Sequence, residues 1–417
     1  MRNRFRICQA AVWVGLLAAA RGPAAAEDWP GWRGPRRDGI CQETGLLRQW
    51  PEGGPKLAWK ATGLGEGYSG PAIVGSLLFT MGSRQGQQWV LALDWTKGGK
   101  TVWETPLGTV RHDGGGYAGP RATPTLDGDR LYTLGIAGEL VCLDVRRGEI
   151  LWRRDLVRDF GGQAPGWGYS ESVLVDGPWV VCTPGGPRAT IAALLKSNGR
   201  PVWTSPVGDP AAYSSILPVS IGKVKQYVQF TAKGVIGVSA RDGKLLWRYD
   251  RPANGTANVS TPVWLGQTVF AASDYGVGGG LVWVKKAGQG FRADEMYSTK
   301  QMKNHHGGLI LLDDYLYGAD DGTLTCLQYK TGKVAWTDRT SGKCSLLCAD
   351  GMLYARNENG PVSLVEATPE GFRLQGRFHQ PERSNKNSWP HPVIAHGRLY
   401  LRDQDVLLCY DIRAGGE

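Results

Sequence analysis

The sequence predicts an all-β fold: an eight-bladed β-propeller, closed by an N-terminal strand that completes the last blade. Three observations predict it. A glycine is followed four residues later by a tryptophan at Gly99/Trp103, Gly148/Trp152, Gly199/Trp203, Gly243/Trp247 and Gly332/Trp336. Counted from Trp59, the steps between these tryptophans are 44, 49, 51, 44 and 89, the last being two steps with one degenerate copy between. Short β-branched runs and glycine turns fill each period, and a repeat in the forties with that filling marks propeller blades.

The first blade shows the pattern. Pro71–Thr80 reads as two strands around a Gly75-Ser76 turn, and Trp89–Leu93 as a third strand ended by Asp94. Lys97-Gly98-Gly99 supplies a hairpin turn, where glycine takes the positive φ that other residues resist. Thr101-Val102-Trp103 opens the fourth strand. A Trp at that place buries about 150–250 Å² and is read as packing between neighbouring sheets. Laid along the chain, the pattern starts blades near Pro71, Thr123, Ser170, Ser214, Thr261, His306, Leu346 and His391. Blade five carries Tyr297 where Trp is expected, and blade seven carries Phe372–Leu374 there. Blade eight ends at Cys409-Tyr410-Asp411 without a Trp strand, and Lys56-Leu57-Ala58-Trp59-Lys60 has the composition to supply it. Such closure leaves no free sheet edge.

Residues 1–26 read as a secretory signal, with Arg2, Arg4 and Arg6 before the apolar stretch Ala10–Ala20 and an Ala24-Ala25-Ala26 cleavage site. No cysteine stands just after that stretch to carry a lipid, and no later segment is apolar enough to span a bilayer. The expectation is an exported chain, periplasmic or extracellular, and a monomer. Residues 27–55 form an arm, and 56–417 the propeller. The arm's Asp28-Trp29-Pro30-Gly31-Trp32-Arg33-Gly34-Pro35 is expected to be ordered and to pack over one face of the ring, with a partner-binding tail as the alternative.

Without the four arginines of the signal, 44 Lys+Arg face 38 Asp+Glu, a net charge of +6. The charges are scattered, which excludes a nucleic-acid footprint. Of the seven remaining cysteines, Cys142, Cys326 and Cys409 share one repeat position. Equivalent positions in different blades cannot meet a disulfide's Cα separation of about 4–7 Å, so these read as small apolar residues. Cys344 and Cys348 are near enough in sequence to pair, but the odd total argues against a disulfide framework.

The unit Leu-Asp-x-x-x-Gly-x-x-x-Trp resembles the repeat of the pyrroloquinoline-quinone (PQQ) dehydrogenases and of BamB-type outer-membrane assembly propellers. The resemblance covers Lys56 to Asp411. Asp-Trp-Pro-x-Trp-Arg-Gly-Pro and Asn-His-His-Gly-Gly also look like exported PQQ-repeat proteins of planctomycete-type bacteria. The family holds both quinoprotein enzymes and propellers that bind no quinone, so it implies a fold and not an activity.

In a propeller the loop leading into each innermost strand reaches the mouth of a central funnel. Those positions are Tyr68-Ser69, Arg121, Tyr169-Ser170-Glu171, Tyr213-Ser214-Ser215, Asn258-Val259-Ser260, Asn304-His305-His306, Lys343-Cys344-Ser345 and Trp389/His391. A polar and aromatic mouth is a ligand-site expectation. Tyr169, Glu171, Asn258, Asn304, His305 and Trp389 are its expected ligand-binding residues. His305, His306 and Glu171 are the candidates for acid–base chemistry, though no hydrolase or lyase motif supports it. On a strand, adjacent His305 and His306 would point to opposite faces and could not share a metal. The loop Arg111–Tyr117 reads as a surface loop, with a lid over the mouth as the alternative.

Resemblance to a quinoprotein dehydrogenase implies calcium in an oxygen shell, an Asp base, a flat aromatic floor and a vicinal disulfide. Glu171 and Asn258 would supply part of that shell, and Trp389 or Trp167 the floor. The chain departs from the pattern: it has no Cys-Cys pair, and Lys303-Asn304-His305-His306 stands where an Asp would be. Two readings follow. One is a non-catalytic propeller that binds a protein or glycan partner at its funnel face; the other is a PQQ- and calcium-dependent dehydrogenase of an alcohol, sugar or polymer.

Overall fold

A computed structural model describes residues 26–288 and 290–415. The expected signal segment lies outside these residues, apart from Ala26. Eight sheets follow one another around a ring. The arm contributes β1 (Ile40–Cys41), and β2 (Lys56–Ala61) precedes the first blade. Blade one is the antiparallel meander β3 (Ala72–Val74), β4 (Leu77–Arg84), β5 (Gln87–Asp94) and β6 (Lys100–Thr109). The inner strands of blades two to eight begin at Thr125, Leu174, Leu217, Val263, Leu309, Cys344 and Val393, each within four residues of its expected start. Strand β2 pairs antiparallel with Val406–Asp411 and so completes blade eight with the N-terminal strand.

The Gly/Trp spacing is a contact between blades. A Cβ built on Gly148 would lie 2.6 Å from the ring of Trp103, one blade earlier, and one on Gly199 2.6 Å from Trp152. The same holds for Gly99 beneath Trp59 and Gly332 beneath Tyr297. The hairpin glycine lacks a side chain where the preceding blade's ring lies. Indole N–H groups complete the dock: Trp103 Nε1 donates to Val145 O at 2.9 Å, and Trp152 Nε1 to Lys196 O at 3.0 Å. Tyr297, standing where Trp was expected in blade five, reproduces this with its hydroxyl on Tyr329 O at 2.6 Å.

Within blades one, two, five, six and eight the outer-strand ring meets an aromatic of the second strand, as in Trp152/Tyr132 at 6.0 Å and Trp336/Tyr317 at 6.1 Å between centroids, whereas Trp203 of blade three meets Tyr227 of blade four at 6.1 Å. Blade seven has Gly376 on its outer strand instead, and the arm's Trp50 packs on it. Trp50 stands 5.6 Å from Tyr354, so a distant segment fills the missing position.

The arm lies over a face only in its second part: residues 29–41 follow the inner strands around the axis, and residues 43–50 cross the turns of blades seven and eight to the outer strand of blade seven. Trp29 and Ile73 exchange both backbone hydrogen bonds at 2.8 Å, and Leu126 N donates to Pro30 O. Strand β1 runs back parallel to the inner strand of blade seven (Cys344–Ala349). Between them Arg37 donates to Ser172 O and Val173 O, Arg33 to Leu309 O, and Trp32 Nε1 to Thr261 Oγ1. Carbonyls on and just before the inner strands need donors where they line the channel, and Arg33 and Arg37 supply them. All seven described cysteines are free and buried. No helix among the described residues is long and apolar enough to cross a membrane.

Candidate functional site

The loops leading into the inner strands surround a cup of about 220 Å³ at one end of the ring, and the arm's Trp32 belongs to its lining. Tyr68, Arg121, Ser170, Tyr213, Ser215, Val259, His305, His306, Trp389 and His391 all line it, as does Trp167. Trp389 sits between two tyrosines, with centroids 4.9 Å from Tyr68 and 4.8 Å from Tyr117. Tyr117 comes from the loop read as a plain surface segment. Arg121 holds that loop, donating from Nη2 to Tyr117 O at 2.5 Å and Gly114 O at 3.3 Å, and from Nη1 to Gly119 O at 3.0 Å. Its guanidinium also lies 5.6 Å from the Tyr68 ring centroid. Burial pushes the Arg121 guanidinium down to about 10, so it stays charged at neutral pH.

His305 and His306 both face the cup, contrary to the strand expectation. Residues 305–307 form a bend before the inner strand Leu309–Leu312, so the two-residue alternation does not apply. Their rings stand 5.5 Å apart and nearly perpendicular. Tyr275, from the turn at 274–277, places its hydroxyl 3.3 Å from His305 Nε2. His391 Nε2 donates to His306 O at 2.8 Å, and its ring packs 4.6 Å from Trp32. Both ring nitrogens of His306, and Nδ1 of His305, are shielded from solvent and have no partner.

Burial, reinforced by Lys343, pushes the His305 imidazole down to about 4, and burial with the Arg33 charge pushes His391 down to about 3. His306 is driven well below 6.5 by burial and its histidine neighbour. The cup's histidines are therefore neutral at pH 7. An imidazole with a lowered folded value stabilises the fold fully above pH 6.5, its ordinary value, and loses that contribution as the pH falls toward the folded value near 3. His391→Gln retains a donor for His306 O and removes one titrating ring. The wild-type Tm, followed by circular dichroism, is expected to fall more between about pH 6.5 and 4 than the variant's. Equal falls would refute the assignment. The comparison also removes the opposing effect of Glu171, common to both proteins.

Tyr169, Glu171, Asn258 and Asn304 are expected ligand-binding residues that the structure places behind the rim. Glu171 is 2 % exposed and accepts from Thr183 N at 2.7 Å and Thr183 Oγ1 at 3.0 Å. Burial pushes its carboxyl up to about 7 against the pull of Thr183 and Arg37. Asn258 donates to Thr231 O at 3.0 Å and accepts from Asn254 N at 3.0 Å. Asn304 donates to Ala319 O at 2.9 Å and Gly308 O at 3.1 Å, and Tyr169 donates to Pro184 O at 2.7 Å. These residues latch the loops onto neighbouring strands. Their oxygens already serve protein donors, so Glu171 and Asn258 do not fit a calcium shell beside the cup. No group of three or more His, Cys, Asp or Glu able to hold a metal occurs among the described residues.

Sequence reasoning missed Trp32, Tyr117 and Tyr275 as lining residues. Trp32 comes from the arm and Tyr275 from a turn between the second and third strands of blade five, neither of which leads into an inner strand; Tyr117 belongs to the loop before blade two's inner strand, ahead of the position counted there, and only the lid alternative brought it to the mouth. Tyr275 also holds a φ of 56°, in the left-handed region that a bulky residue rarely adopts.

The protein-family model described as outer membrane protein assembly factor BamB matches residues 86–338. BamB of Yersinia pestis is 23 % identical over 320 residues, covering 74 % of this chain and 77 % of that protein. BamB of Moranella endobia is 22 % identical over 280 residues, covering 64 % and 69 %. Among solved structures, BamB from Moraxella catarrhalis superposes with a TM-score of 0.60 at 15 % identity, over 86 % of this chain and all of that one. A europium-containing methanol dehydrogenase gives 0.53 at 12 % identity, over 90 % and 89 %. At such identities the structural likenesses speak for the fold alone. The family match spans more than half of the chain, and with it the eight-bladed ring belongs to the BamB family of PQQ-repeat propellers.

Proposed function

We propose that this chain is an exported, monomeric, non-catalytic propeller of the cell envelope that presents the cup-bearing face to a protein or glycan partner. Family membership supports the class: the matching relatives are outer membrane protein assembly factors. The observation that carries the reading is the make-up of the cup. Its wall is aromatic rings, hydroxyls and neutral imidazoles, with no carboxylate in the lining, and Glu171 is tied down behind it. Rigid rings with satisfied supports make a recognition surface, and recognition hot spots are rich in Trp and Tyr. The arm fills the channel beneath, so the cup is a closed-bottomed surface and not a passage.

The dehydrogenase alternative makes a different prediction. PQQ titrated into purified protein, with and without calcium, is expected to leave absorbance unchanged and to give no dye-coupled oxidation of an alcohol panel. Saturable calcium-dependent binding with turnover would overturn the proposal. A photo-crosslinking residue at Tyr117 is expected to capture an envelope component that one at Trp95, on a turn outside the cup, does not. Equal capture from both positions would remove the cup face from the reading.

A further inference from the structure

We infer that the cup is a carbohydrate site that takes one uncharged pyranose ring against the aromatic wall that Tyr68, Trp389 and Tyr117 form together. This rests on the cup face being the binding face proposed above, and adds the chemistry of what is bound.

Three properties of the cup select this ligand. The first is its combination of apolar faces with stranded polar atoms. Tyr68, Trp389 and Tyr117 form one wall, with the Tyr planes tilted 36° and 38° to the indole. A pyranose presents C–H groups on its flat faces and hydroxyls around its rim, so a face can bury against an indole while the rim stays polar. Beside that wall His306 faces Trp389 at 6.0 Å between centroids, with neither ring nitrogen bonded. A shielded polar group without a partner costs about 1–3 kcal/mol. A neutral imidazole has one donor and one acceptor nitrogen, and a sugar hydroxyl serves either. An apolar or aromatic side chain in the same place would leave His306 unsatisfied.

The second property is charge. Among the described residues no carboxylate lines the cup, and Glu358, outside the lining, already accepts from Trp389 Nε1 at 3.1 Å, so a cationic ligand finds little counter-charge. The one cation of the lining, Arg121, already commits both terminal nitrogens to carbonyls of the 114–119 loop, and Lys343, outside the lining, is paired with Asp321 at 3.0 Å. The imidazoles are neutral at pH 7. A polyanion would shed its hydration there for little in return. An uncharged polyol loses nothing by this.

The third is size and supply of hydroxyls. A cup of about 220 Å³, open at the mouth, suits one ring with a chain continuing outward. Tyr213, Tyr275, Ser170 and Ser215 carry hydroxyls around it.

The test uses the full mature chain and titrates neutral tetrasaccharides (cello-, xylo-, manno- and chito-tetraose) against tryptophan fluorescence and calorimetry. Tetragalacturonate and PQQ serve as the anionic comparisons. At least one neutral tetrasaccharide is expected to bind saturably below about 10 mM, the weak end of specific recognition, and neither anion to do so. Trp389→Ala is expected to weaken binding by about tenfold or more, as removing a central aromatic anchor does. Tyr117→Ala, on a loop outside the sheets, gives the same readout if Trp389→Ala does not fold. His306→Phe keeps the ring and removes both nitrogens, and is also expected to weaken binding. Trp283→Ala, exposed on the outer part of blade five, is expected to change nothing. No binding by any neutral sugar, tighter binding of the anions, or affinity unchanged in Trp389→Ala and Tyr117→Ala would overturn the inference. A partner crosslinked from Tyr117 without sugar binding would overturn this inference and leave the platform reading intact. Sugar binding without a cup-face crosslink would do the reverse.

Discussion

Gly148→Ala is expected to lower the unfolding free energy by about 3–4 kcal/mol, while Gly128→Ala lowers it by about 1–2 kcal/mol. Both glycines are in turns of blade two with positive φ, 72° and 60°, so both substitutions strain the backbone alike. They differ in surroundings. Nothing lies within 4 Å of a Cβ at Gly128, whereas one at Gly148 meets Trp103 at 2.6 Å and Thr105 Oγ1 at 2.8 Å. The indole cannot withdraw cheaply, because its N–H is bonded to Val145 O and its other face packs toward Phe79, 5.9 Å away. Overpacking of this kind adds about 1–3 kcal/mol. Urea unfolding of the two variants and the parent checks it. Equal losses would show that turn conformation alone, and not the docked ring, explains the Gly/Trp spacing.

That docking explains why the fold was legible. Five blades each set a glycine (Gly99, Gly148, Gly199, Gly243 and Gly332) under the ring of the blade before, so the requirement recurs with the blade period and survives as a sequence pattern. Closure by Lys56–Ala61 was legible for the same reason: a blade short of one strand and a spare strand at the other end of the chain complete one count. Trp50 was not legible. It supplies blade seven's ring from a segment with no period, and only the contact with Gly376 reveals the substitution. The arm's closely placed large and charged residues spoke for order, but not for the place of its first part inside the channel. That is set by backbone exchange with Ile73 and by arginines that reach inner-strand carbonyls.

The candidate site was legible to the level of loops and not of side chains. Repeat counting identified the residues that reach the mouth, and Tyr68, Arg121, Tyr213 and Trp389 face it. Which neighbour in each triplet turns inward depends on the local backbone. In Tyr169-Ser170-Glu171 only the middle residue lines the cup, and its two neighbours bond to Pro184 and Thr183 behind the rim. A bend at His305-His306 turns both inward, where strand parity would have separated them. Chemistry assigned from residue type alone, such as calcium on Glu171 and Asn258, fails at this step because the oxygens already have protein partners.

Trp29→Ala is expected to cost about 3–5 kcal/mol, the usual range for truncating a buried Trp. Trp29 is 2 % exposed, and Gly34, in the arm's own turn, is a glycine whose Cβ would lie 2.7 Å from its ring. Truncation therefore removes contact with the core of blades one and eight and the surface on which the arm's turn folds. The loss should not stay local. Trp32 lies three residues on and packs beside His391 in the cup, so an arm that loosens also opens the cup's base. Urea unfolding measures the cost, and trypsin reports whether the arm itself is released. Arg33 and Arg37 are 4 % and 7 % exposed and bonded to inner-strand carbonyls, which protects those peptide bonds in the parent. Cleavage at Arg33 and Arg37 in Trp29→Ala, with the ring's circular dichroism unchanged, is the expected result. If the variant is destabilised but resists cleavage there, the arginines and strand pairing hold the arm without Trp29, and its ring serves the blade core alone.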